Sequence, residues 1–212
     1  MDEPEGNGIH HRTKGGFEMI CVAITGGIGS GKSYVSALLE ARGIPVYNAD
    51  NEAKRLTSSD IEIRKGLVAL LGEEVYANGQ LNKPVLASYL FSSPENASRV
   101  NAIIHPRVKE DFKRWLGEQA ETEIAAFESA ILYEAGFEDT VDAVLMVFAP
   151  RELRLERAMN RDKATREQIE ARMSAQMEDE EKCRRADFVV YNDGSLPLDE
   201  QLTSFINQLK KK

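Results

Sequence analysis

The sequence predicts an α/β fold, a parallel sheet with helices on both faces, carrying a helical insertion and a helical hairpin. Three observations lead there. Runs such as Ile20-Cys21-Val22-Ala23-Ile24-Thr25 and Ala143-Val144-Leu145-Met146-Val147-Phe148 are almost continuously apolar and rich in β-branched residues, as strands buried on both faces are. The first of them passes through a glycine-rich stretch into Tyr34–Ala41, where Val35, Leu38 and Leu39 share one helical face. From about Asp50 to Gly117 the pattern is helical without a convincing strand, too much for a single crossover, so it reads as an inserted subdomain.

The glycine-rich stretch, Gly26-Gly27-Ile28-Gly29-Ser30-Gly31-Lys32-Ser33, fits G-x-x-x-x-G-K-[ST], the phosphate-binding loop of P-loop nucleotide-binding proteins. Glycines there let backbone amides turn inward and approach polyphosphate oxygens, and the following helix adds its positive end. Lys32 is expected to reach the β- and γ-phosphates of a nucleotide, and the Ser33 hydroxyl to ligate Mg²⁺. The plain alternative is a structural glycine turn, and the strand before and helix after argue against it.

The chain has 212 residues, enough for one generous α/β domain with an insertion or for two small ones. A formal net charge of −8 argues against nonspecific nucleic-acid binding as its main task. No segment approaches a membrane span, so no membrane partner is expected. Cys21 falls in the first strand, nothing favours its pairing with Cys183, and a cytoplasmic location is the expectation. Met1 to Glu18 is polar and glycine-rich and lacks the apolar core of a signal peptide; it reads as a disordered extension, with His10 and His11 incidental.

Along the chain, Gly43 closes the first helix, and Ile44 to Asn48 reads as a second strand ending at Ala49-Asp50. Ligands of open α/β sheets bind at that carboxyl edge, which makes Asp50 a candidate near the phosphates; a helix N-cap is its structural alternative. Helices are expected over Glu52–Ser58, Ile61–Leu71, Lys83–Phe91 and Pro94–Leu116, the last interrupted so that one helix ends near Ile104 and another starts with Pro106. Glu123–Phe127 resumes the sheet, followed by Glu128 and by a short helix or turn over Ile131–Gly136. After Pro150, Arg154, Arg157 and Arg161 share a helical face at i, i+3, i+7 spacing. Thr165 caps a second helix running to about Arg185. Two arginine-bearing helices joined by a tight polar turn resemble a lid that closes over ATP, with Arg157 and Arg161 as its working cations. Arg154 is read instead as part of a solvated face with glutamate partners. Asp187–Tyr191 is the last strand, and Leu198–Lys210 an amphipathic closing helix.

Together these pieces resemble the dephospho-coenzyme A kinases. The resemblance rests on Ile24-Thr25-Gly26-Gly27-Ile28-Gly29-Ser30-Gly31-Lys32-Ser33, on Ala49-Asp50, on His105-Pro106, on Arg161-Asp162 with Thr165-Arg166, and on Ala186-Asp187 with Asn192 and Gly194. It implies a P-loop NTPase core in three α/β/α layers (19–49, 118–150 and 186–212), an acceptor-binding helical subdomain (50–117) and a lid (151–185). It also implies transfer of the γ-phosphoryl of ATP, with Mg²⁺, to the 3′-hydroxyl of dephospho-coenzyme A. Carried over by position, Gly27, Ile28, Gly29, Ser30, Gly31, Lys32, Ser33 and Tyr34 hold ATP, and Asn192 and Gly194 lie beside the adenine. Arg157 and Arg161 act from the lid, Asp50 faces the attacking hydroxyl, and His105 and Arg107 form the acceptor side. Lys32, Asp50 and Arg161 are the catalytic candidates. The sequence departs from the family at Asn48, usually an aspartate, and at Tyr34, usually a threonine. A rival of the same build is a P-loop kinase with another small acceptor, such as a nucleoside. A GTP-driven switch is disfavoured by the lack of an Asn-Lys-x-Asp guanine motif. Nothing in the sequence sets an oligomeric state.

Overall fold

The computed structural model describes residues 11–12, 18–119 and 122–211. They fall into two compact units, one ending at Tyr47 and resuming at Leu116, the other Asn48–Trp115.

The first unit is built on five parallel strands: β2 (Glu18–Thr25), β3 (Val46–Asn48), β4 (Ile124–Glu128), β5 (Ala143–Phe148) and β6 (Phe188–Tyr191). Their order is β3-β4-β2-β5-β6, which puts the strand that feeds the glycine loop at the centre. Register sets Ile24 beside Glu128 on one side of β2 and Thr25 beside Met146 on the other. Every residue of β4 is buried, as is all of β5 except Phe148, which explains their continuous apolar runs. Val22 and Ile24 point to a core formed with Val35 and Leu39 of α1 (Lys32–Glu40) and Leu202, Phe205 and Leu209 of α9 (Leu198–Leu209). On the other face Phe127 stacks on Tyr47 and packs obliquely on Phe137, with ring centroids at 5.8 and 5.1 Å.

Two strands differ from the expectation at their ends. β2 begins at Glu18, ahead of its first pairing with β4 at Ile20, and the protruding backbone pairs antiparallel with β1 (His11–Arg12). That short ribbon replaces part of the disordered extension; residues 1–10 and 13–17, His10 among them, lie outside the described residues. The second strand ends at Asn48, and α2 (Ala49–Ser59) follows at once. Its N-cap is Asn48, whose side chain accepts from the Asn51 amide at 2.9 Å, so Asp50 is a first-turn residue and not the cap.

The hairpin consists of α6 (Arg151–Asp162) and α7 (Arg166–Ser174), and Lys163 makes the turn in the left-handed conformation. Thr165 caps α7 in a reciprocal box with Gln168. The single helix expected to run to Arg185 is in fact two, because the chain steps out after Ala175 and restarts as α8 (Asp179–Arg185). The step is held from below. Glu134 accepts from the Met177 amide at 2.7 Å and pairs at 3.0 Å with the fully buried Lys182, which also donates to the Ala130 carbonyl at 2.8 Å.

The second unit contains α2, α3 (Ile61–Leu71), a 3-10 turn over Glu73–Gly79, α4 (Lys83–Leu90) and most of α5 (Pro94–Glu118). The expected break at Pro106 does not occur; α5 runs through it. Val100, Ile104, Val108, Phe112 and Leu116 form one buried stripe at four-residue spacing that continues past the proline. Proline in a helix interior costs about 3 kcal/mol, and burying each such side chain returns about 1.5–3 kcal/mol. The stripe wins.

Asp60 joins α3 to α5. Its Oδ1 accepts from the amides of Glu62 and Ile63, each at 2.9 Å, and Arg107 Nη2 donates to its Oδ2 at 2.9 Å. Burial pushes this carboxyl up, but the Arg107 and amide donors outweigh it and hold it below its ordinary value. A carboxylate depressed on folding stabilises fully above its unfolded pKa, near 3.9, and loses that contribution as pH falls through the folded pKa. Asp60→Ala is expected to cost about 1–2 kcal/mol at neutral pH, the size of a lost N-cap. Urea denaturation should show the gap between the two proteins narrowing below about pH 4. A gap that is constant down to pH 3 would leave the Asp60 charge without a role.

Candidate active site

Parallel pairing brings the carboxyl ends of β2, β4, β5 and β6 to one edge, and the glycine loop leaves that edge at its centre. Residues from 26 to 33 form a compact turn that enters α1 at Lys32, with the Tyr34 and Val35 amides donating to the Gly31 carbonyl. Gly31 has φ +93°, and a Cβ there would lie 2.1 Å from the Asn192 Nδ2, so both conformation and contact require glycine. Lys32 is held inside the loop, its Nζ donating to the Gly26 carbonyl at 2.9 Å and to that of Gly27 at 3.4 Å. Ser30 is fully buried, and its hydroxyl has no hydrogen-bond partner among the described residues.

Ser33 Oγ donates to Glu128 Oε1 at 3.0 Å, and Ser36 Oγ to Glu128 Oε2 at 2.8 Å. Glu128 is buried at the end of β4, and it was not singled out from the sequence. The available signal was a charged residue closing an otherwise apolar strand at the sheet's carboxyl edge.

Asn192, just past β6, ties three parts of the site together. Its Nδ2 donates to the Ser30 carbonyl at 2.8 Å, its amide to the Phe148 carbonyl at 2.8 Å, and its own carbonyl accepts from Arg157 Nη1 at 2.9 Å. Gly194 follows with φ +87° in an open turn where a Cβ would meet nothing within 4 Å. Tyr34 is exposed on the first turn of α1.

The hairpin arginines differ from one another. Arg157 reaches the Asn192 backbone, whereas Arg161 is exposed and its guanidinium is paired with Asp162 at 2.7 Å, a carboxylate it shares with Arg172. Arg154, read from the sequence as a solvated cation, is the buried one. It is ion-paired with Asp179, and its Nη1 donates to the Ile28 carbonyl at 3.3 Å. Gln176 Oε1 accepts from the Ile28 amide at 3.1 Å. Spacing alone treats the three arginines alike; rotation of α6 against the loop decides which one is buried.

The remaining candidates belong to the second unit. Asp50 is exposed in the first turn of α2. His105 is half-buried on α5, and burial, with Lys109 adding to it, pushes its imidazole below the ordinary value, favouring the neutral form. Arg107 is engaged by Asp60 and Glu110.

Residues 20–197 match the sequence profile of the dephospho-CoA kinase family. A Bacteroides fragilis protein named dephospho-CoA kinase is 55% identical over 193 residues, covering 91% of this chain and 94% of its own length. A Thermus thermophilus protein of known crystal structure is 37% identical and superposes with a TM-score of 0.78 over 90% of this chain and 98% of its own. The dephospho-CoA kinase of Campylobacter jejuni, 21% identical, has the same fold, with a TM-score of 0.64 over 90% of this chain and 97% of its own.

Proposed function

The chain belongs to the dephospho-CoA kinase family, and from that premise we propose that its glycine loop and Asp50 carry out the family reaction on ATP and dephospho-coenzyme A. It is an ATP-dependent kinase that transfers a phosphoryl group to a hydroxyl. The observation that supports the residue assignment best is the convergence of Lys32, Ser33, Glu128 and Asn192 on one loop at the sheet's carboxyl edge.

In this reading the 3′-oxygen of the acceptor ribose bonds to the γ-phosphorus as the bond from that phosphorus to the β-bridging oxygen breaks. ADP leaves with the electron pair, and the hydroxyl proton passes to the Asp50 carboxylate. The loop amides and Lys32 hold the β- and γ-phosphates in line and meet the charge that gathers on their oxygens. In this reading the Lys32 ammonium, which donates to the Gly26 and Gly27 carbonyls, turns from them to the phosphate oxygens. Arg161 leaves Asp162 for the phosphates when the hairpin closes. Arg157 keeps Asn192 in place, and Asn192 with Gly194 borders the base. His105 and Arg107 serve the acceptor side, the imidazole as a neutral hydrogen-bonding group.

Mg²⁺ takes oxygen ligands and is usually held by one or two side chains together with substrate phosphates. Ser33 Oγ and the Glu128 carboxylate are oxygen donors already in mutual contact at the loop, and they fit that requirement. When bound, the ion supplies charge neutralisation at the β- and γ-phosphoryl oxygens. Glu128 also fixes the Ser33 rotamer through its contact with Ser36 on the next turn of α1.

An acceptor panel with ATP and Mg²⁺, scored by mass gain of one phosphate, tests the reading. Product is expected on dephospho-coenzyme A and none on nucleosides. Transfer to a nucleoside with dephospho-coenzyme A untouched would overturn the acceptor assignment.

A further inference from the structure

The part of the hairpin that sequence spacing left to solvent presses on the phosphate loop. Arg154 and Asp179 form an ion pair whose side chains are only 9% and 10% exposed. The guanidinium also donates through Nη1 to the Ile28 carbonyl, while its buried Nε has no partner among the described residues. A Cβ on Gly27 would lie 1.9 Å from Arg154 Nη1 and 2.7 Å from Asp179 Oδ1, and one on Gly29 would lie 2.1 Å from the Arg154 carbonyl oxygen. The loop therefore lies directly against residue 154, Gly27 against its guanidinium and Gly29 against its main chain. Gln176, three residues before Asp179, takes up the amide of the same Ile28 whose carbonyl Arg154 holds.

We infer that Asp179 is a positioning residue of the nucleotide site: acting through Arg154, it fixes the Gly27–Gly29 backbone in the form that receives the phosphates. The inference rests on reading the loop as the ATP site. The physical argument concerns the carboxylate's two tasks. It neutralises a cation that cannot remain buried alone, and it sets the direction of the guanidinium, whose fork then meets the Ile28 carbonyl. A loop with three glycines in four positions has little stiffness of its own, so its shape is set by what it leans on. Loss of the clamp should appear as loss of ATP affinity, because the loop must then be ordered when ATP arrives, while the chemistry of the bound state is largely preserved.

The test measures ATP binding by titration calorimetry with Mg²⁺, alongside kcat and KM, in four proteins: wild type, Asp179→Asn, Arg154→Lys, and Arg154→Gln combined with Asp179→Asn. Asp179→Asn is expected to weaken ATP binding and raise its KM by about tenfold or more, with kcat within about threefold and the acceptor KM unchanged. The double variant loses the carboxylate and the guanidinium fork together, so it should bind ATP about as weakly as Asp179→Asn, because the two residues act as one clamp. Arg154→Lys keeps the ion pair but loses the planar fork; it should weaken ATP binding by about fivefold, and it keeps the test decisive should Asp179→Asn fail to fold. Unchanged ATP affinity in a folded Asp179→Asn or in Arg154→Lys would overturn the inference, as would wild-type affinity in the double variant. If the wild type itself binds no ATP, the reading of the loop fails and not merely the role of Asp179.

Discussion

Replacing Lys32 with alanine is expected to lower kcat by about 10²–10³-fold, the loss seen when one preorganised donor to a developing charge is removed. The ammonium donates to two loop carbonyls, Gly26 at 2.9 Å and Gly27 at 3.4 Å, and the side chain is only half-buried. The fold should therefore survive, with a melting temperature near that of wild type. Single-turnover transfer at saturating ATP checks this, because it isolates the chemical step from product release. The loss should fall on kcat more than on ATP binding, since the charge on the migrating group is greatest in the transition state. Wild-type turnover in Lys32→Ala would remove the loop from the mechanism.

The second large effect is expected at Asp50. Asp50→Asn keeps the side chain's shape but abolishes its capacity to take a proton, and general-base assistance is typically worth about 10²–10⁴-fold. The structure removes one confusion from this experiment. Asn48, not Asp50, caps α2 by accepting from the Asn51 amide, so the cap survives the substitution. What the fold loses is a negative charge near a helix N-terminus, about 0.3–1 kcal/mol. Asn48→Asp in the Asp50→Asn background should not restore transfer, because the side chain at 48 is engaged as the cap. Single-turnover rates in the two variants decide the matter. Near-normal transfer in Asp50→Asn would reduce that residue to a favourable first-turn charge, and full rescue by Asn48→Asp would move the base to position 48.

Local features were legible in the sequence, and long-range ones were not. The strand–loop–helix over residues 20–41 could be read because its signals lie within one window, and the Thr165 cap could be read because its partner Gln168 is three residues away. Glu128 escaped because its meaning comes from Ser33, 95 residues earlier, and from the pairing of β4 beside β2. Arg154 escaped because amphipathic spacing gives a face without saying what that face meets. Pro106 misled for the opposite reason: a strong local cost was outweighed by a stripe of buried side chains from Val100 to Leu116. The break between α7 and α8 was invisible because it is held by Glu134 and Lys182, which no helix pattern relates to one another.

The strand order has a consequence for how the chain comes into being. β2 emerges from the ribosome early, yet both of its parallel neighbours lie more than a hundred residues downstream, with Ile20 beside Ile124 and Val22 beside Ala143. The helical unit between them, Asn48–Trp115, is contiguous and has its own buried side chains, Ile63, Leu67, Val100 and Phe112 among them, so its partners are all at hand first. Chains grow at about 5–20 residues per second, so the most apolar early segment waits for seconds with Ile20–Thr25 unpaired from its parallel neighbours. That interval is when a nascent chain is most open to aggregation and most in need of a chaperone. The glycine loop at the end of β2 gains its hydrogen bond from the Asn192 side chain to the Ser30 carbonyl only after β6 has been made. A fragment released before Asn192 would carry the whole phosphate-binding motif and lack the contact that closes it.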